Sequence, residues 1–291
     1  MGVGARPLRR SGIHLLLIVA GLSMVLPFLW MVSTSLRSTI EITRDPHRFL
    51  PEVIAGVPAP AAAPQGFARL VANYVEAWQS APFGRYFFNT IVVALSCLAG
   101  VVLTSALAAY AFARLRWRGR DALFMLFLSM MMVPEPVYLV PSFIIIARLG
   151  WLDTYAALIV PWTVNIFSIF LLRQHFKTIP QDLFDAATID GASRFAVLWR
   201  IMMPLSKAVL VTISLFTIIG TWNSFLWPLV MTHSPEMRPL QIGLAAFSQE
   251  EGTEYGLMMA ATTLSVVPLL VLYFFAQRQI IASLASSGLK E

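Results

Sequence analysis

Read for hydrophobic and polar positions alone, the chain alternates long apolar runs with shorter polar, mostly basic connections. The apolar runs cover about His14 to Ser33, Phe87 to Ala113, Ala122 to Ala147, Thr154 to Leu172, Ala208 to Val230 and Leu257 to Ala276. Each approaches the roughly twenty residues that a helix rising about 1.5 Å per residue needs to cross about 30 Å of hydrocarbon. The pattern predicts an all-α, polytopic membrane protein with six transmembrane helices. The first run follows Arg6, Arg9 and Arg10, as a signal peptide would. It is long for one, no small-x-small cleavage site stands out and further spans follow, so a retained helix is predicted.

The longest polar segment of helical character lies between the fourth and fifth runs. Pro180 bars continuation of the preceding helix, Asp182 is placed to cap a new one, and Asp185 three residues on predicts an acidic capping box. Gly191 is the residue type that most readily takes the left-handed conformation that ends a helix. Ser193 then predicts the cap of a second helix running through Phe195, Leu198, Trp199 and Met202 to Pro204. The expectation is helix, tight glycine turn, helix. Ala186, Ala187 and Ala192 leave the turn without bulk, and Leu183, Phe184 and Ile189 offer apolar knobs to a partner's groove. A connector lying on lipid headgroups would prefer Lys and Arg on its polar face, against Asp182, Asp185 and Asp190 here.

The stretch 35–85 contrasts with it. Pro51, Pro58, Pro60 and Pro64 in an Ala-rich run predict extended coil, a loop rather than a domain. Within it, Leu70 to Trp78 predicts a short helix, with Tyr74 and Trp78 as interfacial anchors.

Composition sharpens this picture. At 58% hydrophobic and 12% charged, with mean hydropathy +0.73, the 291 residues are too apolar for a soluble domain, where about 25% are charged. A net charge of +6 would raise nucleic acid in a soluble protein. Here the basic residues flank apolar runs, so they predict membrane orientation instead. With a cytoplasmic N-terminus, fourteen Lys and Arg fall inside and seven outside, which predicts that both termini are cytoplasmic. The predicted division is an N-terminal tail 1–13, a first helix 14–34, an outer loop 35–85, a five-helix core 86–277 with cytoplasmic segment 173–206, and a tail 278–291. Cys97, the one cysteine, excludes an internal disulfide and reads as a small buried apolar residue.

No phosphate-binding loop occurs, and His14, His47, His175 and His233 are too scattered for a metal site or catalytic dyad. The chain is predicted to catalyse nothing and to bind no metal or cofactor. Polar residues inside the apolar runs are the candidates for a translocation path. Glu135, between Pro134 and Pro136, should face protein or water, since an acid at mid-bilayer costs about 2.5–3.5 kcal/mol. Carbonyls freed by these prolines and Pro141 are tolerable where they line a cavity. Asn165, Asn223 and Ser224 suit sugar hydroxyls, and Tyr138, Trp162, Trp222 and Trp227 offer aromatic faces. The same residue types also pin helix to helix or mark the interface, and both readings stand.

Asp185-Ala186-Ala187, Asp190-Gly191-Ala192 and Ile201-Met202-Met203-Pro204 resemble, at the same spacing, the E-A-A, D-G-A and I-x-L-P elements of a known cytoplasmic loop. That loop belongs to permease subunits of binding-protein-dependent ATP-binding-cassette importers, with Asp185 in place of the usual Glu and Met203 in place of Leu. Arg85 to Thr90, Leu149 to Tyr155, Trp222 to Pro228 and Gln277-Arg278 are similar to the carbohydrate-uptake branch, specifically the six-span permease of a maltose-type pair. Ser287 to Lys290 loosely resembles its tail. The resemblance implies a type I importer permease of a bacterial or archaeal cytoplasmic membrane. Its implied partners are a second permease, two ATPase subunits carrying ATP and Mg, and an extracytoplasmic solute-binding protein. The segment 182–195 with Pro204 would couple to the ATPase, and the solute would be a sugar, oligosaccharide or sugar-like compound such as a glycerol phosphodiester. Rival readings are an ion-coupled secondary carrier, which should show charges deep in several spans where only Glu135 qualifies, and a non-transporting scaffold. The halves show no sequence repeat, which disfavours an inverted-repeat carrier.

Overall fold

The structure, a computed structural model, describes residues 5–57, 66–247 and 254–288; Pro58, Pro60, Pro64, Leu289 and Lys290 lie outside them. Helices α1 (Ala5–Ser35), α2 (Thr39–Arg44), α3 (Phe67–Ser80), α4 (Phe83–Arg114), α5 (Arg120–Met130), α6 (Glu135–Arg148), α7 (Tyr155–Ile159) and α8 (Ile166–Thr178) come first. There follow α9 (Gln181–Ile189), α10 (Arg194–Val197), a π-helical turn Leu198–Met202, α11 (Met203–Leu205), α12 (Lys207–Trp222), α13 (Leu226–Met231), α14 (Leu240–Ala245) and α15 (Tyr255–Gly288). The fold is all-α, with no strand among the described residues.

Among the described residues, four stretches are long and apolar enough to span: Ile13–Ser35, Phe83–Arg114, Tyr155–Thr178, which is interrupted at 163–165, and Tyr255–Gln277. Two helix pairs pass the same test but bend, Arg120–Met130 with Glu135–Arg148 by 99° and Arg194–Leu205 with Lys207–Trp222 by 82°. Counting each pair once gives six. The third apolar run is thus not one straight helix. Pro134 caps α6 in extended conformation and Pro136 follows in its first turn, so neither can donate the amide that would continue α5. The fifth run is also interrupted, because α12 ends at Trp222 and α13 starts at Leu226.

Two compact units divide the chain, one of residues 1–83 and 244–268, the other of 84–243 and 269–291. In the first, the described part of the stretch expected as coil folds around buried charge. Arg69 sits 2.6 Å from Glu41 and 3.2 Å from Glu52, all three nearly inaccessible. Arg44 also pairs with Glu52. Buried Arg37 donates to the carbonyls of Arg48 (2.8 Å), Glu41 (3.0 Å) and Asp45. Asn73 on α3 donates to the carbonyls of Ser35 and Arg37, and the Tyr74 hydroxyl pairs with Ser35 rather than standing free. The described residues of this stretch are held by ion pairs and side-chain-to-backbone bonds between positions far apart in the sequence, which composition does not encode.

The second unit has its largest core where Val101, Ala106 and Ala109 of α4 meet Leu172 and Phe176 of α8 and Val197, Leu198, Met202 and Ile213 of the later helices. A second core joins Val93 and Cys97 of α4 to Ile146, Ala157, Leu158, Trp227 and Met231. Cys97 is fully buried there, as its neighbours predicted. Arg173, counted in the sequence among the basic residues of the polar segment, is 6% exposed. It lies 3.8 Å over the Phe124 ring and pairs with Asp121 at 3.0 Å, tying α8 to α5.

Candidate functional site

Two places in the second unit gather the singled-out residues. The first is the polar segment, which folds as helix, turn, helix. α8 ends at Thr178, Ile179 is extended, and Pro180 caps α9. Asp182 therefore stands inside the first turn rather than at the cap, and makes no capping bond; Asp185 accepts from the Gln181 side chain at 3.0 Å. The predicted capping box does not form, because the helix starts two residues earlier, at Gln181 after the Pro180 cap. Asp182, in the first turn, still favours the helix N-terminus electrostatically.

The turn forms as the glycine predicts. Gly191 has φ +73°, its N–H donates to the Thr188 carbonyl at 3.1 Å, and the Ala192 N–H reaches back to the Ala187 carbonyl at 2.9 Å. These two bonds satisfy the last carbonyls of α9 in the Schellman arrangement. Ser193 then caps α10, its hydroxyl accepting from the Ala196 N–H at 3.2 Å. A Cβ on Gly191 would meet nothing within 4 Å, so the turn is an open surface.

The segment has two faces. Phe184 and Ala187 are buried in the largest core, which corrects the expectation that Phe184 is a knob for a partner. Leu183, Ile189 and Phe195 are exposed at 43%, 86% and 66%. Asp182, Asp185, Ala186, Asp190, Gly191 and Pro204 are exposed as well, and Ala192 half-buried. Arg114, the last residue of α4, fixes the buried face. Its guanidinium lies 3.9 Å over the Phe184 ring and donates to the carbonyls of Phe176 (2.6 Å) and Ile179 and to the Gln181 side chain (3.0 Å). Sequence reasoning passed over Arg114 as one of several basic residues after α4. Its place directly at the end of the apolar run was the available signal.

The second place is a cavity of about 440 Å³. Its wall includes Glu135, Trp162, Asn165, Asn223, Ser224 and Trp227, which the sequence had singled out separately. Tyr138 and Trp222 do not line it. Tyr138 is 38% exposed elsewhere on α6, and Trp222 is buried with its ring edge-on to Phe87 at 6.1 Å. Tyr138 stands three residues after Glu135 on α6, and Trp222 directly precedes Asn223.

The polar lining marks interrupted helices. Glu135 opens α6 after the break, Asn165 caps α8 and Asn223 ends α12. The Asn165 carbonyl oxygen accepts from the Ser168 N–H at 2.8 Å and hydroxyl at 2.9 Å, and the Asn223 amide donates to the Ile219 carbonyl at 2.9 Å. Half of each amide is spent on the backbone and half is left to the cavity. Trp227 donates to the Ala157 carbonyl at 2.9 Å and packs edge-on to Trp162 at 5.5 Å, so it is wall rather than ligand. Gly100 lets the wall close on α4, since a Cβ there would lie 2.5 Å from the Thr163 side chain. Beyond the cavity, Asp153 takes φ +59° and accepts from the N–H groups of His233 (2.9 Å) and Ser234 (3.1 Å). Desolvation works to raise its pKa, but these bonds outweigh it and hold the carboxyl below the usual range. No group of metal-binding side chains occurs among the described residues.

This architecture has known counterparts. Residues 100–285 match the family model of the binding-protein-dependent transport system inner membrane component. The diacetylchitobiose uptake system permease protein NgcG of Streptomyces coelicolor is 31% identical over 94% of this chain and 86% of its own length. The sn-glycerol-3-phosphate transport system permease protein UgpE of Rhizobium meliloti is 31% identical over 97% and 98%, and the sulfoquinovosyl glycerol transport system permease protein SmoH of Agrobacterium fabrum 30% over 98% and 94%. The fold superposes with TM-score 0.80 on a chain from the crystal structure of a bacterial ABC transporter involved in the import of the acidic polysaccharide alginate. That match covers 96% of this chain and 98% of the other at 24% identity. With the helical spans, the turn at Gly191 and the matched residues 100–285 in agreement, the chain belongs to the inner-membrane permease components of binding-protein-dependent ABC transport systems.

Proposed function

We propose that this chain moves a sugar, oligosaccharide or sugar-like solute, glycerol phosphate included, through a cytoplasmic membrane by alternating access, driven by ATP hydrolysis on separate subunits. The observation that carries the reading is the two-faced segment 181–205. One face is locked to α4 and α8 through Phe184, Ala187 and Arg114; the other presents Leu183, Ile189 and Phe195 around a bare glycine turn. An apolar, exposed, rigidly anchored helix is what a groove on a partner protein needs in order to push on a bundle. In this reading two ATPase subunits, carrying ATP and Mg, grip the segment in this chain and in a second permease. Their closure favours one arrangement of the spans and their opening the other, a shift set by differential binding. Both termini and the segment are then cytoplasmic, and an extracytoplasmic binding protein delivers solute to the opposite side. The cavity around Glu135, Asn165, Asn223 and Ser224 is this chain's share of the path.

Reconstitution into liposomes with the second permease, the ATPases and the binding protein tests this. Uptake should require internal ATP and survive a protonophore. Uptake that persists without ATP and collapses with the protonophore would identify an ion-coupled carrier instead.

A further inference from the structure

Among the residues lining the cavity, Glu135 is the one ionisable side chain; Lys, Arg and His are absent from the wall. Glu135 has no hydrogen bond or ion pair among the described residues. Its place at the start of α6 accounts for tolerance of the charge, since the free N–H groups of a helix N-terminus favour an anion. That stabilisation supplies no cation with which an arriving anion can pair. The remaining polar wall, with the unspent halves of Asn165 and Asn223 and the Ser224 hydroxyl, is neutral and offers both donors and acceptors.

An anionic group entering such a space is desolvated beside a fixed like charge and finds no guanidinium or ammonium, the groups that make strong bonds to phosphate and carboxylate. A sugar hydroxyl meets no such penalty, because it donates to the carboxylate and accepts from the amides. An ammonium gains an ion pair. We infer that the cavity is a charge filter that favours uncharged or cationic polyhydroxyl solutes over phosphate-, sulfonate- or uronate-bearing ones. The inference rests on the reading of the cavity as the solute path, and it narrows the substrate class within the range spanned by the relatives.

The test uses the full chain in membrane vesicles holding the whole importer. Cys97, fully buried, is replaced by alanine, and one cysteine is placed on the wall as Ser224→Cys or, in a second variant, Thr217→Cys. Two thiol reagents of equal size, one carrying a quaternary ammonium and the other a sulfonate, are compared in rate, each normalised to its rate with free cysteine. The cationic reagent should be faster by roughly fivefold or more, from one charge at close range in a medium between protein and water. Glu135→Gln should remove the preference and Glu135→Asp should keep it. Equal rates, or a preference that survives Glu135→Gln, would overturn the filter. Failure of both reagents at both positions would show that no water route reaches the cavity, and would overturn it too. ATP-dependent uptake by the same vesicles reports on the transport reading separately.

Discussion

The segment 181–205 and the cavity around Glu135 are both built on interrupted helices, yet by opposite means. The segment interrupts itself locally: a Schellman turn at Gly191 and a serine cap at Ser193 satisfy the backbone within a few residues, so its outer surface is bare and free to dock. The cavity assembles breaks that are far apart in sequence, at Met131–Pro134, Thr163–Asn165 and Asn223–Phe225, and spends a side-chain amide at each of the last two. Unpaired backbone in a lipid setting is tolerable where it is capped or lines a cavity, and this molecule uses both solutions. On the proposed function, the contrast teaches that a surface for a protein partner can be written in consecutive residues, whereas a solute path is assembled by the tertiary fold.

The sharpest way to break the contrast is at Arg114, where the segment ceases to be local. Arg114→Ala removes the contact over Phe184 and leaves the carbonyls of Phe176 and Ile179 without their donor, at a cost of about 2–4 kcal/mol for lost bonds to a charged group. Solute-stimulated ATP hydrolysis should fall at least tenfold. Arg114→Lys should restore little, since an ammonium cannot reproduce the fork. On the cavity side, Gly100→Leu drives a side chain into Thr163 and should cost about 1–3 kcal/mol by overpacking. It should lower solute uptake while ATPase co-purification is kept.

A smaller effect is expected at Asp153. Its carboxyl is held below the ordinary range, so its bonds to His233 and Ser234 stabilise the fold above the unfolded value of about 3.9 and are lost as pH falls through the lower folded value. Asp153→Asn, which tolerates the positive φ, should lower thermal stability at pH 7 by roughly 1 kcal/mol, and the gap should close in strong acid. Smallest is Ser193→Ala, which removes one cap and should cost about 1 kcal/mol, visible as faster hydrogen exchange in α10 with hydrolysis only mildly reduced.

What was legible in the sequence follows the same division. Gly191, Ser193 and Pro180 act through their own backbone, so the turn and the two short helices could be read directly. Misplacing the cap at Asp182 came from the same local chemistry, because proline and aspartate both suit helix starts and Pro180 wins two residues earlier. Glu135, Asn165, Asn223 and Ser224 could be listed as polar residues in apolar runs, but their convergence depends on a 99° bend that composition does not specify. Tyr138 and Trp222 were grouped with them by type alone; Trp222 packs against Phe87 instead, and Tyr138 is exposed on α6 outside the wall. The ion cluster of Arg69, Glu41 and Glu52 was hidden because its partners are separated by long stretches of chain.

The central claim, that the bare turn at Gly191 is where ATPase force enters, is tested most directly by a size series at that residue in the reconstituted importer. Because a Cβ at Gly191 meets open space, Gly191→Ala should bear only the backbone strain, about 1–2 kcal/mol, and keep the ATPase bound. Gly191→Trp should abolish ATPase co-purification and solute-stimulated hydrolysis together. Retention of both with tryptophan in place would contradict the account.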